Sequence, residues 1–202
     1  MVGKKIIIAS ITIVVAIVLI VVYFYGGQPS QYINAQLSQY YDGQETTYYC
    51  APASVRMVFE YIHYSPVPSQ TQLAADMNCK VEYHGIRSAS DILIPFNQRN
   101  LTSYVCHNGT SFNSTLIDVK SYLRQGDAVI LDIWFDERET NGHFVVAYGY
   151  NSNGVFINDP WTYDNWSTVG RDYGPHIYIT NQQLESLWSY CYYWYFAYNS
   201  TT

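Results

Sequence analysis

The sequence predicts an α+β fold, with helices in the first half of the domain and an antiparallel β-sheet in the second. Two observations support this class. Before Gly126, apolar residues recur at steps of three and four, which is the period of an amphipathic helix. After Asp127, apolar runs of strand length are separated by turn residues, and only one more helical pattern follows.

Residues 1–27 are expected to lie outside this domain. Residues 6–24 are almost wholly apolar and uncharged, and at 1.5 Å per residue they can cross a hydrocarbon core of about 30 Å. Lys4 and Lys5 precede this run and no Lys or Arg follows until Arg56, which predicts a short cytoplasmic N-terminus. A cleaved signal peptide is the alternative, but it would have a shorter apolar region and a small-x-small cleavage site. We therefore expect an uncleaved, single-pass signal anchor.

The rest of the 202-residue chain is expected to lie outside the cytoplasm. It divides into a polar linker over residues 28–40 and one domain over residues 41–200, which is long enough for a single core. The net charge of −6 argues against nucleic acid or an anionic membrane surface as a partner. Only 13% of the residues are charged although 22 are Tyr, and this uncharged polarity favours an extracytoplasmic location.

The first predicted helix begins at Cys50 and ends near Tyr64, because Ser65 precedes Pro66 and is disfavoured in a helix. Pro52 suits the first turn. The apolar face of this helix is formed by Val55, Val58, Phe59 and Ile62. Cys50 is therefore placed at a helix N-terminus, where unpaired N–H groups and the helix dipole favour a thiolate.

Three more helical patterns precede the strands. The first runs to Met77 and opens with a capping box over residues 69–72. The second opens in the same way at Ser88, and the third covers residues 116–123 and stops at Gly126.

The second half of the domain predicts a sheet and one terminal helix. The continuous apolar run of the first strand indicates burial on both faces, and the next two strands form a hairpin. A helix over residues 181–188 is capped from Thr180, and residues 161–175 have the composition of a loop. The predicted strands cover residues 128–135, 143–150, 155–157, 177–179 and 192–198.

A cysteine nucleophile needs a base, and the base needs a residue that orients it. His143 opens a strand after Gly142, and the following hairpin brings Asp159 back to the same end of the sheet. The Asp159 carboxylate can then accept a hydrogen bond from one imidazole nitrogen and leave the other facing Cys50. Gln44, six positions before the cysteine (50 − 44), can donate its amide to an oxyanion. The other histidines lie too far along the helix or in loops without a second residue to hold them: His63, His84, His107 and His176.

Three segments of the chain resemble the peptidase C39-like family. They are Gln44 with Cys50–Ser54, the strand His143–Tyr150, and the triplet Asn158–Pro160. The likeness extends over roughly residues 40–198. Members of this family are papain-fold cysteine peptidases, and the best known trim leader peptides inside bacteriocin exporters.

The resemblance implies a papain-like fold and assigns roles to four residues. Cys50 would be the nucleophile, His143 the base, Asp159 the residue that orients it, and Gln44 the oxyanion-hole residue. The family often has Gly directly after the cysteine, where this chain has Ala51, an extra methyl that removes no catalytic group. The exporter role is not implied, because a Gly-rich phosphate-binding loop followed by Lys is absent.

The remaining cysteines suggest one disulfide. Cys79 and Cys106 both fall in loop-like segments that flank one helix, and an extracytoplasmic location permits a bond between them. Cys191 lies among aromatic residues and is expected to be a buried free thiol. No His or Cys pair has the spacing of metal ligands, so neither a metal nor another cofactor is expected.

Five N-glycosylation sequons imply an exposed face that carries glycan if the host cell glycosylates. Their asparagines are Asn100, Asn108, Asn113, Asn165 and Asn199.

The sequence thus predicts a membrane-anchored cysteine peptidase acting on a peptide or protein substrate. Two alternatives remain. The same triad can serve an amidase or acyltransferase acting on cell-wall amides, since acyl transfer uses the same groups. The fold can also serve as a non-proteolytic surface-binding module whose aromatic residues stack on sugars. The tryptophans that suggest this module are Trp161, Trp166, Trp188 and Trp194.

Overall fold

An antiparallel sheet of seven strands lies at the centre of the described part of the chain, which comprises residues 31–136, 139–163 and 172–200 in a computed structural model. The strands follow the order β2-β7-β3-β4-β5-β6, and β1 pairs with β4 outside this path. Their bounds are β1 (Gln31–Ile33), β2 (Tyr104–His107), β3 (Ala128–Asp136), β4 (Glu139–Asn151), β5 (Gly154–Asp159), β6 (Gly174–Thr180) and β7 (Tyr195–Tyr198).

Five α-helices in the same residues flank this sheet. They are α1 (Cys50–Tyr61), α2 (Gln70–Asp76), α3 (Leu93–Gln98), α4 (Phe112–Gln125) and α5 (Asn181–Ser189), with short 3-10 turns at Leu37–Gln39, Val81–Tyr83 and Ala89–Ile92. The predicted α+β class is confirmed.

Helices cover both faces of the sheet. Alternate side chains of a strand point to opposite faces, so Ile130 of β3 packs in one cluster with Phe59 of α1. Val129 of the same strand packs in a second cluster with Val119 of α4 and Trp188 of α5. Because residues 128–131 of β3 are buried on both faces, this part of the strand is a continuous apolar run instead of an alternating one.

Local signals placed several helix ends correctly. Ser69 and Thr180 form capping boxes at the starts of α2 and α5, and Ser88 forms one at the 3-10 turn before α3. Gly126 ends α4 in the left-handed region, with φ of +84°, as expected of a glycine just past a helix.

The secondary structure of two segments differs from the sequence-based prediction. Part of the predicted linker belongs to the domain, since β1 pairs with β4, Tyr32 stacks on Tyr150 with 6.1 Å between the ring centroids, and Leu37 is fully buried. Strand β2 occupies a segment that was predicted to be a loop, and it pairs with the terminal strand β7.

The predicted disulfide between Cys79 and Cys106 is not present, and all four cysteines are free thiols. Cys106 lies in strand β2 and interacts with Trp194, whereas the Cys79 thiol donates to the carbonyl oxygen of Tyr48 at 3.3 Å. The two side chains therefore have separate partners. Cys191 is a half-buried free thiol.

Two predictions concern residues that are only partly described. Within the described ranges no helix is long and apolar enough to cross a membrane, and the predicted anchor at residues 6–24 lies outside those ranges. Asn165 also lies outside them, whereas the sequon residues Asn100, Asn108 and Asn113 are exposed and Asn199 is half-buried.

Candidate active site

Cys50 is the first residue of α1, and its side chain is 7% exposed. The preceding residue, Tyr49, does not cap the helix with its side chain. One turn further on, the buried Ser54 hydroxyl donates to the carbonyl oxygen of Phe144 at 3.0 Å. Because Phe144 directly follows His143 in β4, this bond holds the first turns of α1 beside the part of β4 that carries His143.

His143 and Asp159 form a buried pair. The Nε2 atom of His143 lies 2.7 Å from Oδ1 of Asp159, and the side chains are 2% and 0% exposed. The same carboxylate oxygen accepts the main-chain N–H of Trp161 at 2.9 Å. With Nε2–H donated to the carboxylate, Nδ1 remains for the Cys50 thiol, with which the imidazole also forms a hydrogen bond.

The electrostatics of this pair favour a charged imidazole. Burial by itself lowers the pKa of His143, but the Asp159 carboxylate and the Cys50 sulfur outweigh it and raise the pKa to about 9. At neutral pH the site therefore holds a proton on the imidazole, beside the sulfur.

Two aromatic rings shield the imidazole from water. Phe135 meets the His143 ring edge-on at a centroid distance of 4.9 Å, and Trp161 contacts Phe135 in the same way at 4.6 Å. The Trp161 indole N–H donates to the carbonyl oxygen of Tyr163 at 2.8 Å, which fixes the indole over the site. The sequence analysis gave Phe135 no role and named Trp161 only for the surface-binding alternative, although Trp161 stands two positions after Asp159.

Gln44 is buried, with 3% of its surface exposed. Its main-chain N–H donates to the carbonyl oxygen of Pro160 at 2.7 Å, which joins the segment before α1 to the end of β5. The side-chain Nε2 donates to the carbonyl oxygen of Thr46 at 2.7 Å. A primary amide has two N–H groups, so one is left for another acceptor.

Three of the four predicted site residues line one cleft, and Asp159 adjoins it through its hydrogen bond to His143. The cleft has a volume of about 230 Å³, and Gln44, Cys50, His143 and Trp161 line it. His84, from the loop after α2, lies at the same cleft, although the sequence analysis gave it no role. His63 does not belong to the site, and its ring lies 2.9 Å from the amide nitrogen of Gln36. Within the described ranges, no group of three or more His, Cys, Asp or Glu residues could hold a metal ion.

Comparison with solved structures defines the fold. The peptidase domain of Streptococcus ComA, a bifunctional ABC transporter of a quorum-sensing pathway, matches with a TM-score of 0.54 and 17% identity over 78% of this chain and 96% of that one. A Bacillus anthracis protein described as a C39-like peptidase gives 0.58 and 16% over 83% and 96%. A double-glycine-motif protease from an AMS/PCAT transporter, solved with its leader peptide, gives 0.51 and 16% over 79% and 90%. The fold is that of C39 peptidases.

The family follows from the sequence itself. The model of the Peptidase_C39 like family matches residues 33–190, so the chain belongs to this family. A search of curated proteins found no significant match.

Proposed function

We propose that the protein is a cysteine peptidase that cleaves peptide bonds through an acyl-enzyme on Cys50. The observation that carries this proposal is the buried imidazole of His143, which is hydrogen-bonded to Asp159 at 2.7 Å and to the thiol at the start of α1. Membership of the C39-like family and the shared peptidase fold support it.

The geometry suggests a two-step reaction. The Cys50 thiolate attacks the carbonyl carbon, a C–S bond forms, and the oxyanion is stabilised by the free N–H of the Gln44 amide and by a main-chain N–H of the first helical turn. The His143 imidazolium gives its proton to the leaving amine as the C–N bond breaks. Water, deprotonated by the neutral imidazole, then attacks the thioester and releases the acid and the thiolate.

We further propose that residues 6–24 anchor the enzyme in the membrane with the domain outside the cytoplasm. This proposal depends on the length of the uncharged apolar run and on the lysines that precede it.

The two alternatives differ in their support. An amidase or acyltransferase would use the same four residues, so only the identity of the substrate separates it from a peptidase. A sugar-binding module is disfavoured, because Trp188 is fully buried and Trp161 and Trp194 are only 4% and 6% exposed, so none of them presents an open surface ring for stacking. Trp166 lies outside the described residues.

A thiol-directed activity probe together with a peptide library tests the function. We expect the full-length chain to be labelled at Cys50 and to cleave peptides, and we expect Cys50→Ala to abolish both. Cys79→Ser is the matched control, because Cys79 lies outside the cleft and should leave labelling and cleavage intact. Peptide cleavage that survives in Cys50→Ala would contradict the proposal, whereas transfer to amines or cleavage of other amides only would favour the alternative chemistry.

A further inference from the structure

The cleft at Cys50 adjoins two further cavities in a row. A second cavity of about 180 Å³ shares Cys50 and Gly142 with the first. A third cavity of about 440 Å³ shares Ser88 and Asp132 with the second. These three adjoining cavities form a groove, which is the shape that an extended peptide would need across the nucleophile.

One acidic side chain lines both the second and the third cavity. Asp132 of β3 is half-buried and lines the second and third cavities. Its Oδ1 atom is shielded from solvent and has no hydrogen-bond partner among the described residues. The carboxylate accepts from the Cys191 thiol and from the main-chain N–H of His143, and both of these donors are uncharged.

Among the described residues, no cation pairs with this carboxylate. The ion pairs found among the described residues do not include Asp132. Arg87 also lines the second cavity, but its guanidinium lies over the Tyr83 ring, 5.4 Å from the centroid. Burial raises the pKa of Asp132 to about 7, as expected of a carboxyl group without a positive partner.

The chemistry of the site gives the groove a direction. His143 must protonate the leaving amine, and its side chain lines the first cavity together with Trp161 but not the second. The leaving part of the substrate therefore belongs in the first cavity. The acyl part, which becomes attached to Cys50, belongs in the second cavity beside Asp132.

We infer that Asp132 is a specificity-determining residue that binds the cation of a Lys or Arg side chain on the N-terminal side of the scissile bond. This inference rests on the proposed peptidase function and names its substrate class.

Beyond Asp132 the third cavity is lined by aromatic rings, including Trp134, which stacks on the exposed Tyr190. An apolar residue further towards the substrate N-terminus fits there.

The test compares two peptides that are identical except for Lys or norleucine on the acyl side of the cleaved bond. Both are acetylated at the N-terminus, and a third, non-acetylated norleucine peptide shows whether an α-amine can replace the side-chain cation. We expect the full-length enzyme to prefer the Lys peptide in kcat/KM, and we expect Asp132→Asn to reduce the Lys-to-norleucine ratio about 30-fold, as for loss of one partner of a buried charge pair.

The matched control is Asp127→Asn. Asp127 is another buried carboxyl whose Oδ1 lacks a hydrogen-bond partner among the described residues, but it lines a different cavity, so the ratio should not change. Because a general loss of activity would affect both peptides equally, the ratio separates cation binding from a purely structural role. Preference for the α-amine alone would overturn the side-chain assignment.

A binding measurement keeps this inference separate from the proposed function. The Cys50→Ala chain, which cannot turn over, is titrated at pH 8 with each acetylated peptide. Tighter binding of the Lys peptide that is lost in Cys50→Ala/Asp132→Asn supports the inference even if no peptide is ever cleaved. Cysteine-dependent cleavage without any Lys preference overturns the inference and leaves the peptidase proposal standing. Equal binding of both peptides in the absence of cleavage also overturns it.

Discussion

At the residue scale, the proposed chemistry depends on a proton held by one buried imidazole. The Asp159 carboxylate accepts from both the imidazole and the Trp161 main chain, so its charge is held by two donors at 2.7 and 2.9 Å. The imidazole is thereby fixed in orientation and stabilised in its charged form. Neither effect needs solvent, because both side chains are buried.

The pH dependence follows from the direction of this shift. The pKa of His143 is raised to about 9, so the imidazolium is present at neutral pH and is lost as the pH rises through that value. We expect kcat/KM to fall on the alkaline side near pH 9. In Asp159→Asn this fall in kcat/KM should occur at lower pH, because the carboxylate that raises the pKa of His143 is gone. The dependence of kcat/KM on pH is measured for both proteins. An alkaline fall at the same pH in Asp159→Asn would contradict the prediction.

Gln44 should matter for rate more than for substrate affinity. Its free amide N–H is proposed to meet charge that develops only in the transition state, so Gln44→Ala should lower kcat about 10²- to 10³-fold with little change in KM. Gln36→Ala is the control, because Gln36 is exposed and lies outside the cleft. Steady-state kinetics on one cleaved peptide measure kcat and KM for the three proteins. A rise in KM without a fall in kcat would show that Gln44 binds the substrate in the ground state instead.

At the scale of the elements, one side-chain hydrogen bond joins the helix that carries Cys50 to the strand that carries His143. Ser54→Ala removes the hydroxyl that bonds the Phe144 carbonyl oxygen, and it should lower the free energy of unfolding by about 1 kcal/mol. It should also lower kcat, since Cys50 and His143 lie on the two elements that the bond joins. Ser189→Ala, at an exposed site at the end of α5, should change neither quantity. Urea denaturation and kinetics on the three proteins test this prediction.

Asp132 in strand β3 should make the stability of the protein depend on pH. The folded-state pKa of Asp132 is raised from 3.8 to about 7, so folding favours the protonated form. Its contribution to stability is complete below pH 3.8 and is lost as the pH rises towards 7. Relative to Asp132→Asn, the wild-type protein should therefore lose thermal stability between about pH 4 and pH 7. The melting temperatures of the wild-type protein and of Asp132→Asn are measured between pH 4 and pH 7. A constant difference between them would contradict this expectation.

Local signals in the sequence were sufficient for much of the fold. The capping boxes at Ser69 and Thr180 and the stop at Gly126 depend only on neighbouring residues, so the sequence indicates them directly. Strand β1 depends on its pairing with β4, which lies more than a hundred residues away, and three residues are too few to show a period. Cys106 was misplaced for the same reason, since β2 is defined by its partner β7.

The candidate site was predictable where the chemistry restricts the residue type. Cys50, His143, Asp159 and Gln44 were found because a nucleophile, its base, the orienting carboxylate and an oxyanion donor have few substitutes. Asp132 was not found, because it stands inside an apolar run that only indicates a buried strand. Its special environment arises from which cavity the strand borders, and that is fixed by tertiary packing.

At the scale of the whole molecule, the open prediction is membrane attachment. If residues 6–24 are an uncleaved anchor, the full-length chain should remain in the membrane fraction after carbonate washing, because hydrocarbon burial does not depend on pH. A chain that lacks residues 1–27 should be released by the same wash. Sequencing of a mature N-terminus near Gly26 would show instead that the segment is a cleaved signal peptide.

The position of the four site residues along the chain has a practical consequence. Gln44 and Cys50 precede the turn at Gly126, and His143 and Asp159 follow it. A polypeptide divided at this turn would leave the nucleophile on one fragment and its base on the other. Each fragment would be inactive alone, and turnover would return only when the two reassociate. The two fragments could therefore serve as a split reporter. Each would be fused to one of two proteins, and peptide cleavage would report that these two proteins associate.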